Sequence, residues 1–114
     1  SFQPNLAYLD GTWILRKDYA ELLSPNGRVA LHYLADQVNI VAGADDLVNV
    51  TAQVNHAPLD KTNAGADAVS TPGGFAIPVR DQRLYDLAQS GNYDAKLIVL
   101  NATKGFRLYT FTFG

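Results

Sequence analysis

The sequence predicts an all-β domain: a jelly-roll sandwich is our first choice and an immunoglobulin-like sandwich is the alternative. Roughly seven or eight short segments have strand character, turn residues recur about every 8–12 residues, and helical periodicity is almost absent. The 114 residues are expected to form one domain spanning 1–114. Hydrophobic residues make up 47% of the chain, which is ordinary for a folded globular domain.

The clearest strand is the last one, in residues 106–114. If side chains alternate regularly, one face carries Tyr109, Phe111 and Phe113, and the other carries Leu108, Thr110 and Thr112. Such a strand needs apolar cover on its aromatic face. We expect that face to be the core seam of a closed sandwich rather than a platform for a ligand.

Most of the first half also has strand patterns. After a lead-in that ends at the Asp10-Gly11 turn, the strand candidates are residues 12–16, 28–35, 38–41 and 47–54. Residues 17–23 fit either a short helical turn or a continued strand. The segment 47–54 alternates most cleanly, which is typical of a half-buried antiparallel strand.

The second half contains a long irregular segment, residues 60–74, which we interpret as a surface excursion that carries at most a short strand. A strand follows at 75–79, where Pro78 favours an edge or a strand end. Residues 83–88 have both helical and strand spacing. Residues 96–100 are apolar on both faces, as in a central strand.

One surface has the chemistry to bind sugar hydroxyls. It is the polar face of 47–54, and neighbouring strands would extend it; its candidate residues are His32, Asn39, Asn49, Thr51 and Gln53. Trp13 and Tyr33 lie among apolar residues, and we interpret both as core. Tyr8, Tyr19 and Tyr93 are less constrained, but they form no recognisable stacking pattern. The pattern therefore permits carbohydrate binding without indicating it directly.

Several kinds of chemistry are disfavoured. The chain has no cysteine, which excludes thiol redox chemistry, disulfides and zinc–thiolate sites within these residues. No serine lies in a nucleophile elbow, and His32 and His56 lack metal-ligand spacing. The net charge is −2 with no basic block, which argues against nucleic-acid binding. No apolar run reaches the roughly 20 residues that span a bilayer, so we expect no membrane insertion.

We expect no cofactor. The loop carboxylates of Asp45, Asp46, Asp60 and Asp67 are compatible with a structural Ca²⁺, but no EF-hand pattern is present. We therefore favour solvated turn aspartates over a calcium site. The chain begins at Ser1 rather than at methionine, and we expect it to be part of a longer protein.

Several segments together resemble a known family. They are residues 11–13, 28–35, 38–41, 64–69, 83–87 and 109–114. They resemble the C-terminal domain of DipZ-type thioredoxin-like proteins, which are bacterial thiol–disulfide proteins. In these proteins a redox domain precedes a jelly roll that is similar to carbohydrate-binding modules. The resemblance covers nearly the whole chain and is most specific in the Arg-Leu-Tyr segment, 83–85, and in the Phe-Thr-Phe-Gly ending.

The resemblance implies an accessory role. In the family, the Cys-x-x-Cys chemistry belongs to the preceding thioredoxin domain, so no catalytic residue transfers to this chain. The implied location is extracytoplasmic, in the periplasm or cell envelope. Our leading hypothesis is a non-catalytic domain that binds a glycan, or that binds its own redox domain and that domain's substrates. The alternative is a structural domain that packs on the thioredoxin domain and orients it; a stand-alone enzyme is the third, least favoured class.

Overall fold

The computed structural model describes residues 7–114, and within them the chain forms twelve β-strands and no helix. The strands are Tyr8–Asp10 (β1), Trp13–Leu15 (β2), Ala20–Leu22 (β3), Asn26–Leu34 (β4), Gln37–Gly43 (β5), Val48–Val54 (β6), Ala57–Pro58 (β7), Val69–Thr71 (β8), Gly74–Val79 (β9), Arg83–Gln89 (β10), Ala95–Thr103 (β11) and Arg107–Phe113 (β12). All pair antiparallel in two sheets. The predicted all-β jelly-roll sandwich is confirmed.

The two sheets share the strands unequally. The seven-stranded sheet has the order β1-β4-β11-β6-β9-β8, with β7 paired to β6, and the five-stranded sheet has the order β10-β5-β12-β3-β2. β11 lies between β4 and β6, which confirms the prediction of a central strand at residues 96–100. The closing strand β12 lies between β5 and β3.

The core lies between the sheets and is built by period-two alternation. On β6, the inward-facing residues Val48, Val50 and Ala52 are buried, while the residues between them are exposed. Leu31 on β4 and Leu100 on β11 extend the same inner face. Trp13 also packs against this core and meets Phe106 edge-on with ring centroids 6.3 Å apart, which confirms the interpretation of Trp13 as core.

The predicted faces of the last strand are wrong at Tyr109. The register of β12 against β5 shifts between Leu108 and Thr110, so one residue is inserted into the alternation. Leu108 is therefore the residue that faces inward, fully buried opposite Ala42, and Phe111 pairs with Ile40. The ring of Tyr109 instead lies 5.1 Å from that of Tyr19.

Phe113 lies at the end of the seam between the sheets and is 48% exposed, so the predicted aromatic core face is only partly buried there. Its ring stacks on Tyr33 of the opposite sheet, with centroids 5.6 Å apart and planes 21° apart. Tyr33 is buried, in agreement with its interpretation as core, and burial together with the nearby charge of Asp94 raises the pKa of Tyr33 to about 12.

Three ambiguous segments become β structure. Residues 17–23 contain the strand β3, residues 83–88 lie in β10, and the irregular segment 60–74 contains β8. The part of that segment before β8 runs along the outer edge of β10: the Gly65 amide donates to the Leu87 carbonyl, and the Gln89 amide donates to the Asn63 carbonyl, both at 2.9 Å. The segment thereby pairs some of the backbone N–H and C=O groups that β10 would otherwise leave open at the edge of the sheet.

A buried amine closes one end of the sandwich. Lys96 begins the inward series of β11, and its Nζ donates to the carbonyls of Ala35, Asn92 and Asp94 at 2.7, 3.0 and 3.1 Å. The same amine is 2.5 Å from the Asp94 carboxylate. The ammonium group therefore joins the loop before β11 to the turn after β4, and its buried charge is compensated by hydrogen bonds.

No helix long and apolar enough to cross a membrane is present in residues 7–114.

Candidate functional site

The outward surface of the seven-stranded sheet, called here the outer face, carries most of the predicted site residues. Asn49, Thr51 and Gln53 of β6 all point outward and are exposed. Their side chains make no hydrogen bond to another residue of the described range 7–114. These polar groups are therefore accessible to a ligand.

His32 shares the outer face, but it is not next to the polar row of β6. It lies exposed on β4 and pairs with Leu97 of the intervening strand β11. Two strand spacings, roughly 10 Å, separate β4 from β6. The outer face thus holds four of the five predicted residues on one side of one sheet.

Asn39 does not belong to this face, and its predicted place there is corrected. It lies on β5, in the other sheet, where Thr112 and Asp86 are its cross-strand neighbours. Only 9% of Asn39 is exposed. Its Nδ2 donates to Thr112 Oγ1 at 3.3 Å, and its Oδ1 accepts from Gln37 Nε2 at 3.2 Å. The residue is part of the internal bonding of the five-stranded sheet.

A pocket of about 400 Å³ lies at the β1 edge of the outer face, and we call it the rim pocket. Its lining residues are Asp10, Gly11, Asn26, Gly27, Arg28, Asn101 and Ala102. Strand register places Asp10, Arg28, Asn101 and Thr51 in one row across four strands. The rim pocket and the predicted polar row of β6 are therefore continuous.

An ion pair dominates the electrostatics of the rim pocket. Arg28 Nη2 and Nε donate to Asp10 Oδ2 at 2.8 and 3.1 Å. The hydrogen bonds and positive charge of Arg28 hold the pKa of the exposed Asp10 carboxyl below its usual value. Asp10 is therefore ionised at neutral pH, and the pair adds no net charge to the pocket.

The turn after β1 holds this ion pair in place. The indole Nε1 of Trp13 donates to the Asp10 carbonyl at 2.9 Å. Gly11 has φ +104, and a Cβ there would come within 2.9 Å of Ser24 Oγ, so the turn needs glycine. Ser24 Oγ in turn accepts from the Thr12 amide at 3.0 Å and donates to the Asn26 carbonyl. The rim of the pocket is thus fixed by the core through Trp13.

The other end of the outer face is apolar. Leu34 is 69% exposed and pairs with Ala95, while Leu97 of β11 lies in the next row beside His32. Toward the rim pocket, Tyr8 projects from β1 opposite Ala30 with 76% of its surface exposed. The outer face therefore changes from polar to apolar along the strands.

Three of the four aspartates that are compatible with calcium, Asp45, Asp60 and Asp67, bond to protein groups. Asp45 pairs with Arg107 at 3.1 Å, and Asp67 pairs with Arg83 at 2.9 Å. Hydrogen bonds from Thr62 lower the pKa of Asp60, as expected for a carboxylate that closes its own turn. Within residues 7–114, no group of three or more metal-ligating side chains comes together.

Sequence reasoning missed the rim pocket. The sequence indicates Asp10 only as part of a turn and Arg28 only as the start of a strand. Asn101 gives the one available signal, because this polar residue follows the apolar residues Leu97 and Val99 on the outward side of β11. What brings these residues together is the pairing of β1 with β4 and of β4 with β11, and local pattern does not specify that pairing.

The sequence pattern of a family described as "Thioredoxin like C-terminal domain" matches residues 1–114. No curated protein matches the chain in sequence.

Solved structures share the fold at low sequence identity. A family two carbohydrate esterase from Clostridium thermocellum, in complex with cellohexaose, has a TM-score of 0.74 and 13% identity. The match covers 95% of this chain and 31% of the esterase chain. A family two carbohydrate esterase from Cellvibrio japonicus has a TM-score of 0.58 and 11% identity, with 90% of this chain and 30% of the esterase covered. The chain thus spans about a third of these esterases, and the likeness concerns the fold alone.

Proposed function

Because the chain belongs to the family of thioredoxin-like C-terminal domains, we propose that it is a non-catalytic accessory domain that binds a glycan on the outer face. We further propose that the parent is a DipZ-type thiol–disulfide protein of the cell envelope, with a thioredoxin-like domain preceding this one. In that arrangement the redox chemistry belongs to the preceding domain, since this chain has no cysteine.

The observation that carries the proposal is the set of uncommitted polar groups on the outer face. Asn49, Thr51 and Gln53 present amide and hydroxyl groups that make no bond within the described residues. Sugar recognition needs such groups, because each hydroxyl both donates and accepts a hydrogen bond. The fold shared with an esterase solved with cellohexaose supports the proposal as an analogy only.

An NMR titration of the ¹⁵N-labelled chain tests glycan binding. The probes are cellohexaose, a soluble peptidoglycan fragment and a mannan oligosaccharide, each raised to millimolar concentration. We expect at least one probe to shift the amide signals of Asn49, Thr51 and Gln53. If no probe moves an amide of the outer face, glycan binding there is excluded.

The apolar end of the outer face favours a second candidate function, orientation of the preceding domain. β1 is antiparallel to β4, so its N-terminal end points toward the end of β4 that carries Leu34. Leu34 and Leu97 are the apolar residues of the outer face that a preceding domain could contact. Burying such residues between domains would stabilise one relative orientation.

A single substitution in the parent protein tests this second function. Leu34→Ser should leave the domain folded, because residue 34 is exposed, but it should weaken apolar contact with a neighbouring domain. We expect a changed rate of disulfide exchange with protein substrates and an unchanged rate with a small dithiol. The matched control is Leu47→Ser, an exposed leucine in the loop before β6. Equal rates for Leu34→Ser and the parent would count against the docking function.

A further inference from the structure

We propose that the rim pocket and the ring of Tyr8 together bind a neutral pyranose that has two adjacent free hydroxyl groups. This inference rests on the proposed glycan-binding function. It adds the class of ligand, the part of the outer face that recognises it, and four residues outside the predicted polar row.

The ion pair in the rim pocket has one unused acceptor beside one unused donor. Both hydrogen bonds from Arg28 go to the same oxygen, Oδ2 of Asp10. No side chain among residues 7–114 bonds to Asp10 Oδ1 or to Arg28 Nη1, and besides Arg28 only the Gly11 amide contributes a hydrogen bond that lowers the pKa of the Asp10 carboxyl. A carboxylate oxygen accepts from one hydroxyl while a guanidinium N–H donates to its neighbour, and hydrogen bonds of charged groups are the strong ones.

Asn101 and Thr51 extend this row of polar groups toward the middle of the sheet. Asn101 pairs with Arg28 on one side and with Thr51 on the other. The amide of Asn101 can both donate and accept, and its side chain makes no hydrogen bond to another described residue. A ligand held by the ion pair would thus meet further polar groups along the row, and the row leads directly to the predicted face of β6.

Tyr8 supplies the apolar surface that a pyranose needs. It lies two residues before Asp10 on the same side of β1, a separation of about 7 Å along the strand. Tyr8 is 76% exposed, so its ring is accessible to a ligand. The C–H groups on one face of a pyranose can pack on the electron-rich face of such a ring.

The charge balance selects a neutral ligand. Arg28 is the cation of the rim pocket, and Asp10 neutralises it at 2.8 Å. An anionic sugar would have to displace the carboxylate or approach it closely, and both cost free energy. A neutral diol bonds to the two groups without disturbing the pair.

Cellohexaose is the probe, since its internal residues each carry two adjacent free hydroxyl groups. In an NMR titration of the ¹⁵N-labelled chain, we expect it to shift the amides of Asp10, Gly11, Arg28 and Asn101. Tyr8→Ala should weaken binding about tenfold. Tyr93→Ala is the matched control, because Tyr93 is similarly exposed at 71% but precedes β11 at the other end of the sheet. It should leave the affinity unchanged.

Comparing a neutral sugar with an anionic one tests the role of the ion pair. Asp10→Asn removes the acceptor charge and leaves Arg28 uncompensated. We expect about tenfold weaker binding of cellohexaose and tighter binding of trigalacturonate than in the unsubstituted chain. The amide spectrum of each variant reports in the same sample that the domain is folded.

Three outcomes would overturn the inference. They are equal cellohexaose affinity in Tyr8→Ala and Tyr93→Ala, an unchanged preference between the two sugars in Asp10→Asn, and no shift at the rim pocket with cellohexaose. If a sugar nevertheless shifts Asn49, Thr51 or Gln53, the glycan-binding function stands and only the subsite is wrong. If no sugar shifts any residue of the outer face, both are wrong.

Discussion

The two sheets each carry an asparagine on the outward side of a central strand, and the two residues differ in what surrounds them. Asn39 of the five-stranded sheet is 9% exposed and bonds to Gln37 and Thr112. Asn49 of the seven-stranded sheet is exposed and bonds to no other described side chain. Asn39 is thus satisfied within the five-stranded sheet, whereas the outer face of the seven-stranded sheet keeps its groups available. One exception on the five-stranded sheet is Asp86 Oδ1 of β10, which is buried without a hydrogen-bond partner among the described residues.

The edges of the two sheets differ in the same way. The free edge of β10 is partly paired by the irregular segment, whose Gly65 and Asn63 exchange backbone hydrogen bonds with it. The segment also packs against the side chain of Asp86. At the edge of the seven-stranded sheet, β1 leaves the rim pocket open beside Asp10. We therefore expect substitutions at the covered edge of β10 to lower the free energy of unfolding. Substitutions at the open edge beside β1 should mainly change ligand binding.

The largest expected effect on stability comes from Gly65→Ala. A Cβ at residue 65 would lie 2.5 Å from the backbone oxygen of Asp86, which cannot move without displacing β10. We expect a loss of about 2–3 kcal/mol in the free energy of unfolding, measured by urea denaturation.

Gly73→Ala is the matched control, because a Cβ there would meet no atom within 4 Å. It should change the free energy of unfolding by less than about 0.5 kcal/mol. If both substitutions have the same effect, the segment is not held against β10 in solution.

A smaller effect should separate the two asparagines. Asn39→Ala removes the partner of Gln37 and of Thr112, and we expect a loss of about 1–2 kcal/mol in the free energy of unfolding. Asn49→Ala should cost less than about 0.5 kcal/mol, since no described bond is lost. Urea denaturation of both variants gives the comparison. An equal loss would mean that Asn49 also has a structural partner.

Local pattern was enough to predict the fold class but not the partition of strands between sheets. The alternation in β6 predicted correctly which of its residues are inward and which are outward. The same alternation placed Asn39 with Asn49, although the two strands lie in different sheets. Alternation specifies the two sides of one strand, but only long-range pairing decides which strands share a surface.

The inserted residue in β12 shows a second limit of pattern. A strict period of two placed Tyr109 inward, and the register shift placed Leu108 there instead. A bulge leaves no clear signal in a strand where apolar residues stand on both sides of the shift. The rim pocket was missed for a related reason: Asp10 and Arg28 are 18 positions apart in sequence and meet only through strand pairing.

The smallest effect concerns two of the aspartate–arginine pairs: Asp67–Arg83, which joins the irregular segment to β10, and Asp10–Arg28 on the seven-stranded sheet. Burial alone would raise the pKa of Asp67, but hydrogen bonds from Arg83 and from the Asp86 amide outweigh it and lower that pKa. A lowered pKa in the folded state means that the unfolded chain binds protons more readily. The resulting stability is therefore present above the unfolded pKa of about 3.9 and is lost as the pH falls through the lower folded pKa.

Asp67→Asn should thus lower the free energy of unfolding by about 1 kcal/mol or less at pH 6, and the difference should shrink toward pH 3. Asp10→Asn removes the ion pair with Arg28 on the other sheet, where both side chains are more than half exposed. The lowered pKa of Asp10 gives the same sign of pH dependence, but solvent screens that pair, so the loss in its variant should be smaller than in Asp67→Asn. Urea denaturation at pH 6, 4.5 and 3 measures both variants. If instead Asp10→Asn shows the larger pH-dependent loss in the free energy of unfolding, the comparison is wrong. Stability would then depend on the carboxylate at the rim pocket more than on the contact between the irregular segment and β10.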